Sequence, residues 1–341
     1  MLRTLLGLYI VDGVVSQFSG NPTFARHAAN PLLLPNNEAA FNAAAVDSWI
    51  DLIHRHPPTA TRFCEIYHKL FQGNERWNEG LSPFGRKVIL EGMRCLVSEG
   101  SRTNPPPVGF PVKRDILCVL RQLRKDILQT QVQPHNATDR LTALLQWHTV
   151  CLDMVTNTAR GTRRLCHVLG MNQNIFGGSQ RDESIVQPDR WVHSSRARIA
   201  LLHAIGVQEI AAQLPLGKAH DINIPGVVFT AAATYTGFTF AGVPKLAVPT
   251  RIDWDVTLAS QDADAQPPVG SESADARYTY DFIAGSLDVA EVPRDKYVLR
   301  DLIYDLTAVR TLLRGLSLQW GVATEMEDVV STWIERWELS R

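Results

Sequence analysis

The stretch LRDLIYDLTAVRTLLRGLSLQWGVATEMEDVVSTWIERW, residues 299–337, decides the fold class. Within it Leu299, Leu302, Leu306, Val309, Leu313, Leu316 and Trp320 recur at alternating steps of three and four. That spacing sets seven apolar side chains along one stripe of a single helix. Gly321 breaks the run, and Thr324 with Glu327 three residues on has the wording of a capping box. Met326, Val329, Val330, Trp333, Ile334 and Trp337 then form a second stripe, so a helical hairpin is expected. Three sustained heptads also meet the minimum for a coiled coil, which makes Leu299 to Trp320 a candidate interaction seam as well as a core face.

The same period recurs upstream. From Glu38 to His54 it is carried by Phe41, Ala45, Trp49, Leu52 and Ile53, and a His-Pro-Pro break at 56–58 stops it. Thr59 opens a further helix through Phe71, and others are predicted over 85–99, 112–128, 138–158 and 161–169, with a proline-rich link at 104–107. After Pro188, Asp189 caps a long helix carrying Trp191, Ile199, Leu202, Ile205, Val207 and Ile210, which ends near Leu214. Strand alternation is almost absent, so the expectation is an all-α fold, an irregular bundle of antiparallel helices closed by the terminal hairpin. A Gly/Asn/Ser-rich loop at 171–187 divides the chain softly, giving either one domain over 1–341 or two helical halves, 1–170 and 188–341. Residues 261–295, with Pro267, Pro268, Gly270 and several serines and acids, read largely as a flexible loop.

Residues 222–244 carry no charge, yet Asn223, Pro225, Pro244, four threonines and several glycines make them too polar for a membrane span. A central helix buried on all sides is expected instead. The first eleven residues resemble a signal peptide, but Asp12 ends the apolar run early and an internal helix is the better reading. The 34 basic and 35 acidic residues give a net charge of -1, which lacks the overall signature of a self-sufficient nucleic-acid binder. Cys64, Cys95, Cys118, Cys151 and Cys166 are odd in number and widely spaced, so they read as buried small hydrophobes in a reducing compartment. A single Asn136-Ala-Thr sequon is common by chance.

No reaction announces itself. His54 and His56 lie two apart and face different sides of a helix, while His203 with His220 and Cys166-His167 lack ligand spacing, so no metal site is predicted. Gly177-Gly178-Ser179 follows no strand and forms no nucleophile elbow, and Gly217-Lys218 lacks the upstream glycine of a phosphate loop. Asp301 and Asp305 share a helix face four residues apart, the one paired-carboxylate candidate for an all-α enzyme, but that face opposes the apolar stripe and reads as solvated. The basic runs Lys113-Arg114, Arg121 to Lys125 and Arg160 to Arg164 have acidic neighbours and read as wet helix faces.

Three blocks carry a family likeness. Leu201-Leu-His-Ala-Ile-Gly-Val-Gln-Glu-Ile leading to His220-Asp-Ile-Asn-Ile-Pro-Gly-Val-Val-Phe-Thr-Ala-Ala, and the terminal Leu302-Ile-Tyr-Asp-Leu with Gln319-Trp-Gly-Val-Ala-Thr-Glu-Met, resemble the fungal-specific transcription factor domain. The opening Leu6-Gly-Leu-Tyr-Ile-Val-Asp-Gly and Phe24-Ala-Arg-His-Ala resemble the matching region of factors with two-cysteine, two-histidine fingers. The resemblance implies a nuclear, non-catalytic regulatory domain that acts through co-regulators, a homodimer partner or a small effector. It implies DNA contact only through a finger that these residues do not contain, with zinc in that finger alone. No catalytic, cofactor, metal or DNA-binding residue follows from it, and the stripe from Leu299 to Trp320 is the one interaction candidate.

Overall fold

The computed structural model describes residues 2–24, 30–35, 38–55, 61–73, 77, 81–102, 110–129, 137–171, 173–177, 188–215, 217, 221–262, 273–285 and 295–339. Among them lie fifteen helices and one two-stranded sheet, so the protein is predominantly all-α. They fall into two compact units, the first comprising Met1–Gln17 and Asn21–Val150, the second Phe18–Gly20 and Cys151–Arg341.

The first unit holds α1 (Leu2–Ser19, whose last two residues go with the second unit), α2 (Glu38–Phe41), α3 (Val46–Arg55), α4 (Phe63–Phe71), α5 (Pro83–Arg102), α6 (Lys113–Gln129) and most of α7 (Ala137–Thr156). Its centre is α5, where every residue from 88 to 97 is buried. Two of those ten are charged, Glu91 and Arg94, and they pair one turn apart; Gln146 of α7 donates to Glu91 at 3.3 Å. A buried carboxylate without such partners would be prohibitively costly. Gly13 of α1 makes the room, since a Cβ there would lie 1.9 Å from Glu91 Oε1. Phe63, Tyr67, Leu120 and Trp147 fill the rest, the Trp147 indole donating to the Leu120 carbonyl at 2.8 Å.

The second unit holds α8 (Thr158–Val168), α9 (Pro188–Val192), α10 (Ser195–Ala211), α11 (Ile224–Phe240), β1 (Lys245–Pro249), α12 (Trp254–Ala259), α13 (Ala274–Ala284), β2 (Tyr297–Asp301), α14 (Leu302–Leu316) and α15 (Gly321–Leu339). Its axis is α11, the uncharged stretch, packed by α8, α9, α10, α14 and α15, with 15 of its 17 residues buried. The threonines that made the sequence too polar for a membrane are satisfied inside the helix. Thr230, Thr234 and Thr236 donate to the carbonyl four residues back, and Thr239 to Thr236, at 2.8–3.0 Å. Such back-bonding lets a hydroxyl be buried without an outside partner. Among the described residues no helix is long and apolar enough to cross a membrane. An aromatic column crosses this unit from Phe18 through Phe176 and Phe229 to Trp333, with centroid separations of 5.4, 6.0 and 5.4 Å.

The terminal hairpin is present, with changed ends. Leu302, Leu306, Val309, Leu313 and Leu316 are at most 1% exposed, packed on α11 and α15. Leu299 instead belongs to β2, opposite Ala247 of β1, and is 69% exposed. The helix cannot start earlier because Asp301 caps it, accepting from the backbone of Ile303 and Tyr304. Trp320 sits half-buried in the link after α14, so both outer members leave the stripe. The remaining five serve the chain's own core. α15 begins at Gly321, three residues before the expected cap Thr324, which is exposed.

Other boundaries differ too: the single helix expected after Asp189 is two, α9 and α10, because Ser194 caps α10 by accepting from the Ala197 amide, and the run from Glu38 to His54 divides into α2 and α3. The units part at Val150 and Cys151, inside α7, because α8 packs on α11. Within 261–295, α13 buries Ala276, Thr279, Phe282 and Ile283, whose helical spacing the surrounding prolines and serines obscured. Cys118 is exposed and Cys64 half-buried, whereas Cys95, Cys151 and Cys166 are buried. His56, the 104–107 link, Asn136, Gly178, Ser179, Lys218, His220, and residues 263–272 and 286–294 lie outside the described residues.

Leu306→Ala should lower unfolding free energy by about 3 kcal/mol, the usual cost of a large cavity in a closed core. Leu299→Ala should change it by less than about 0.5 kcal/mol. Urea denaturation of both variants reads the difference.

Candidate functional site

The paired carboxylates of the sequence do not converge. Asp301 is spent on the α14 cap and on Lys245, 3.4 Å away and largely exposed. Asp305, expected on a solvated face, is 5% exposed. It is closed over by chain from far away in sequence. Arg300 donates to both its oxygens at 3.0 and 3.2 Å, and Gln208 of α10 donates at 3.0 Å. Tyr235 of α11 donates to the Gln208 carbonyl oxygen at 2.6 Å, and the other arm of Arg300 reaches Glu209 at 2.9 Å. Four elements, α10, α11, β2 and α14, are tied by this chain of bonds.

Its electrostatics are those of a structural clamp. Burial, with a smaller contribution from the Asp305 charge, holds the Tyr235 phenol well above its usual pKa. Burial alone would make Arg300 release its proton more readily, but the bonds and charge of Asp305 reverse that. The carboxylate is thus matched by a full cation and an amide, and the tyrosine stays a donor.

The other sequence candidates stay apart. His54 is exposed on α3, and His203 is buried on α10 with its ring 5.2 Å from that of Trp254. Cys166 is buried beside Trp333 while His167 points outward; burial pushes the Cys166 thiol up to about 12, with the Trp333 contact pulling weakly the other way. Among the described residues no group of three His, Cys, Asp or Glu is placed to hold a metal ion. Gly177 takes part in a close backbone approach, its N–H donating to Phe18, and a Cβ there would lie 2.9 Å from the Ser19 carbonyl. Of the basic runs, Arg124 lies over the Trp147 ring at 5.8 Å and Arg163 donates to the Gly177 carbonyl at 2.6 Å.

What the sequence did not disclose is a cavity of about 270 Å³ in the second unit. Its floor is one face of α11, at Thr230, Ala233, Thr234 and Gly237. The end of α7 and the length of α8 give one wall, with Val155, Thr156, Thr158, Thr162, Arg164, Leu165 and Val168. Trp191 of α9 and Arg196 of α10 give the other. Local chemistry sets these walls. Asn157, in left-handed conformation at φ 47°, ends α7 and caps α8 by accepting from the Arg160 amide, so the chain breaks direction there. Gly237 admits Trp191, because a Cβ at that residue would stand 3.0 Å from the indole. The indole also meets Phe238 edge-on at 5.6 Å. No single segment carries the signal, since the lining comes from three stretches separated in the chain.

Compared with family models, with curated proteins and with solved structures, the chain matches none.

Asp305→Ala should cost about 3 kcal/mol, because it takes the acceptor from the buried Gln208 amide and leaves the partly buried Arg300 with Glu209 alone. Tyr235→Phe should cost about 1 kcal/mol. Each is read by urea denaturation. Stability should also fall as pH rises above about 9, since unfolded thiols and phenols ionise near 8.5 to 10 while Cys166 and Tyr235 keep their protons when folded. Below that pH both states hold the proton and these groups contribute fully. The loss between pH 8 and 10.5 should be smaller in Cys166→Ala, as measured by the shift in urea midpoint.

Proposed function

We propose that this chain is the helical regulatory domain of a fungal zinc-finger-type transcription factor, nuclear and non-catalytic, working through protein partners or a small effector. DNA binding in this reading belongs to a finger outside these residues. The observation that carries the reading is the pair of sequence blocks that resemble the fungal-specific transcription factor domain, 201–210 with 220–232, and the terminal 302–330. Most of their described residues belong to α10, α11, α14 and α15, which lie in the second unit, where α11 packs on the other three. Support of a second kind comes from the carboxylates. The pair that an all-α enzyme would have used is committed to a helix cap and to a buried clamp, each with its own partners. The near balance of charge also agrees with a domain that meets proteins or small molecules rather than DNA.

The chain fused to a heterologous DNA-binding module should change reporter transcription several-fold in a fungal host and accumulate in the nucleus. A fusion that is folded and nuclear yet leaves the reporter at the level of the module alone would remove the reading.

A further inference from the structure

We propose that the cavity between α8, the α9–α10 corner and α11 is a binding site for a small monocarboxylate with a long or aromatic apolar body. Size comes first. A cavity of 150 Å³ holds benzene, so about 270 Å³ suits roughly eleven non-hydrogen atoms. The chemistry of the wall comes next. Val155, Leu165, Val168, Trp191 and Ala233 offer apolar surface. The wall's five threonines add methyl groups and little else, because every hydroxyl proton is already spent. Thr156, Thr162, Thr230 and Thr234 donate to backbone carbonyls at 2.9–3.0 Å, and Thr158 donates to Asp153.

A ligand head that needs a charged donor therefore meets the Arg196 guanidinium. Arg164 and Arg196 both line the cavity, and no acidic side chain does among its described lining residues. Arg196, a cation at the mouth of an apolar chamber, favours an anionic head over a cationic one. Arg196 is exposed while Ala233 and Thr234 line the floor, which sets the carboxylate at the mouth and the apolar body on α11. An arginine fork matches a carboxylate in shape as well as in charge. Trp191, held over the cavity by the bare backbone of Gly237, gives the body a flat face to lie against.

As a binding site the cavity stands on its own geometry; as the effector site of a regulatory domain it rests on the reading above. The test separates the two by using the purified full chain and no transcriptional readout. Isothermal titration calorimetry with octanoate, octanol and octylammonium should give sub-millimolar binding of octanoate, about tenfold weaker binding of octanol, and none of octylammonium. Arg196→Glu should weaken octanoate at least tenfold and admit octylammonium. Ala233→Phe, which fills the floor, should abolish binding of all three and so exclude adsorption elsewhere on the surface. Circular dichroism checks each fold, and the exposed Arg196 site keeps the test decisive if the floor variant does not fold. Equal binding of octanol and octanoate, an Arg196→Glu chain that holds octanoate as before, or no heat from any of the three would overturn the proposal while leaving the regulatory reading where it was.

Discussion

A helix buried on every side leaves its neighbours no solvent in which to park a charge, and the second unit answers that constraint with the pair of Arg300 and Asp305. The pair lies where β2 turns into α14, against the central α11. Asp305 must accept from Arg300 and Gln208 or be left as an uncompensated charge, and the Gln208 carbonyl oxygen in turn accepts from the Tyr235 hydroxyl. Breaking any link strands a buried polar group, so the four elements hold one relative arrangement. The short β1–β2 ribbon exists in the same service. By pairing residues 245–249 with 297–301 and continuing through the Leu302 amide to the Pro244 carbonyl at 2.8 Å, it fixes the backbone from which Arg300 reaches in.

The first unit meets the same constraint by a different device. Its central helix α5 carries both members of one buried ion pair, Glu91 and Arg94, within one turn, and borrows an amide from Gln146, while Arg86 of α5 reaches Asp126 of α6 at 2.6 Å. Local pairing needs no distant partner but it needs space, and that space is the missing side chain of Gly13. In α11 the polar groups are hydroxyls, which the helix satisfies from its own carbonyls, so no partner and no extra room are required. Three solutions to one desolvation problem thus occur in one chain.

The clamp and the cavity divide the work of the second unit. The clamp is filled and rigid, with each group committed, which suits it to holding the frame. The cavity is where α8, α10 and α11 stand apart with uncommitted volume, and its described lining is positive and apolar. An occupant there would contact helices from both sides and favour whichever spacing suits it, the ordinary way a ligand biases a helical body between arrangements.

The class of fold and much of the core are legible in the order of the residues. The 3.6-residue period from Leu302 to Leu316 and from Met326 to Ile334 is a local property, and so is the absence of charge that marked 222–244 as a buried axis. What depends on partners distant in the chain emerges in three dimensions alone. Leu299 fits the helical stripe by spacing, yet strand pairing with Ala247 and the Asp301 cap take it away. Asp305 reads as surface by its helix face, yet a glutamine 97 residues earlier in the chain helps to bury it. The cavity belongs wholly to this second kind. Its walls come from residues 155–168, 191–196 and 230–237, and a gap between three segments has no periodicity of its own, because periodicity records what a segment buries and not what its neighbours leave empty.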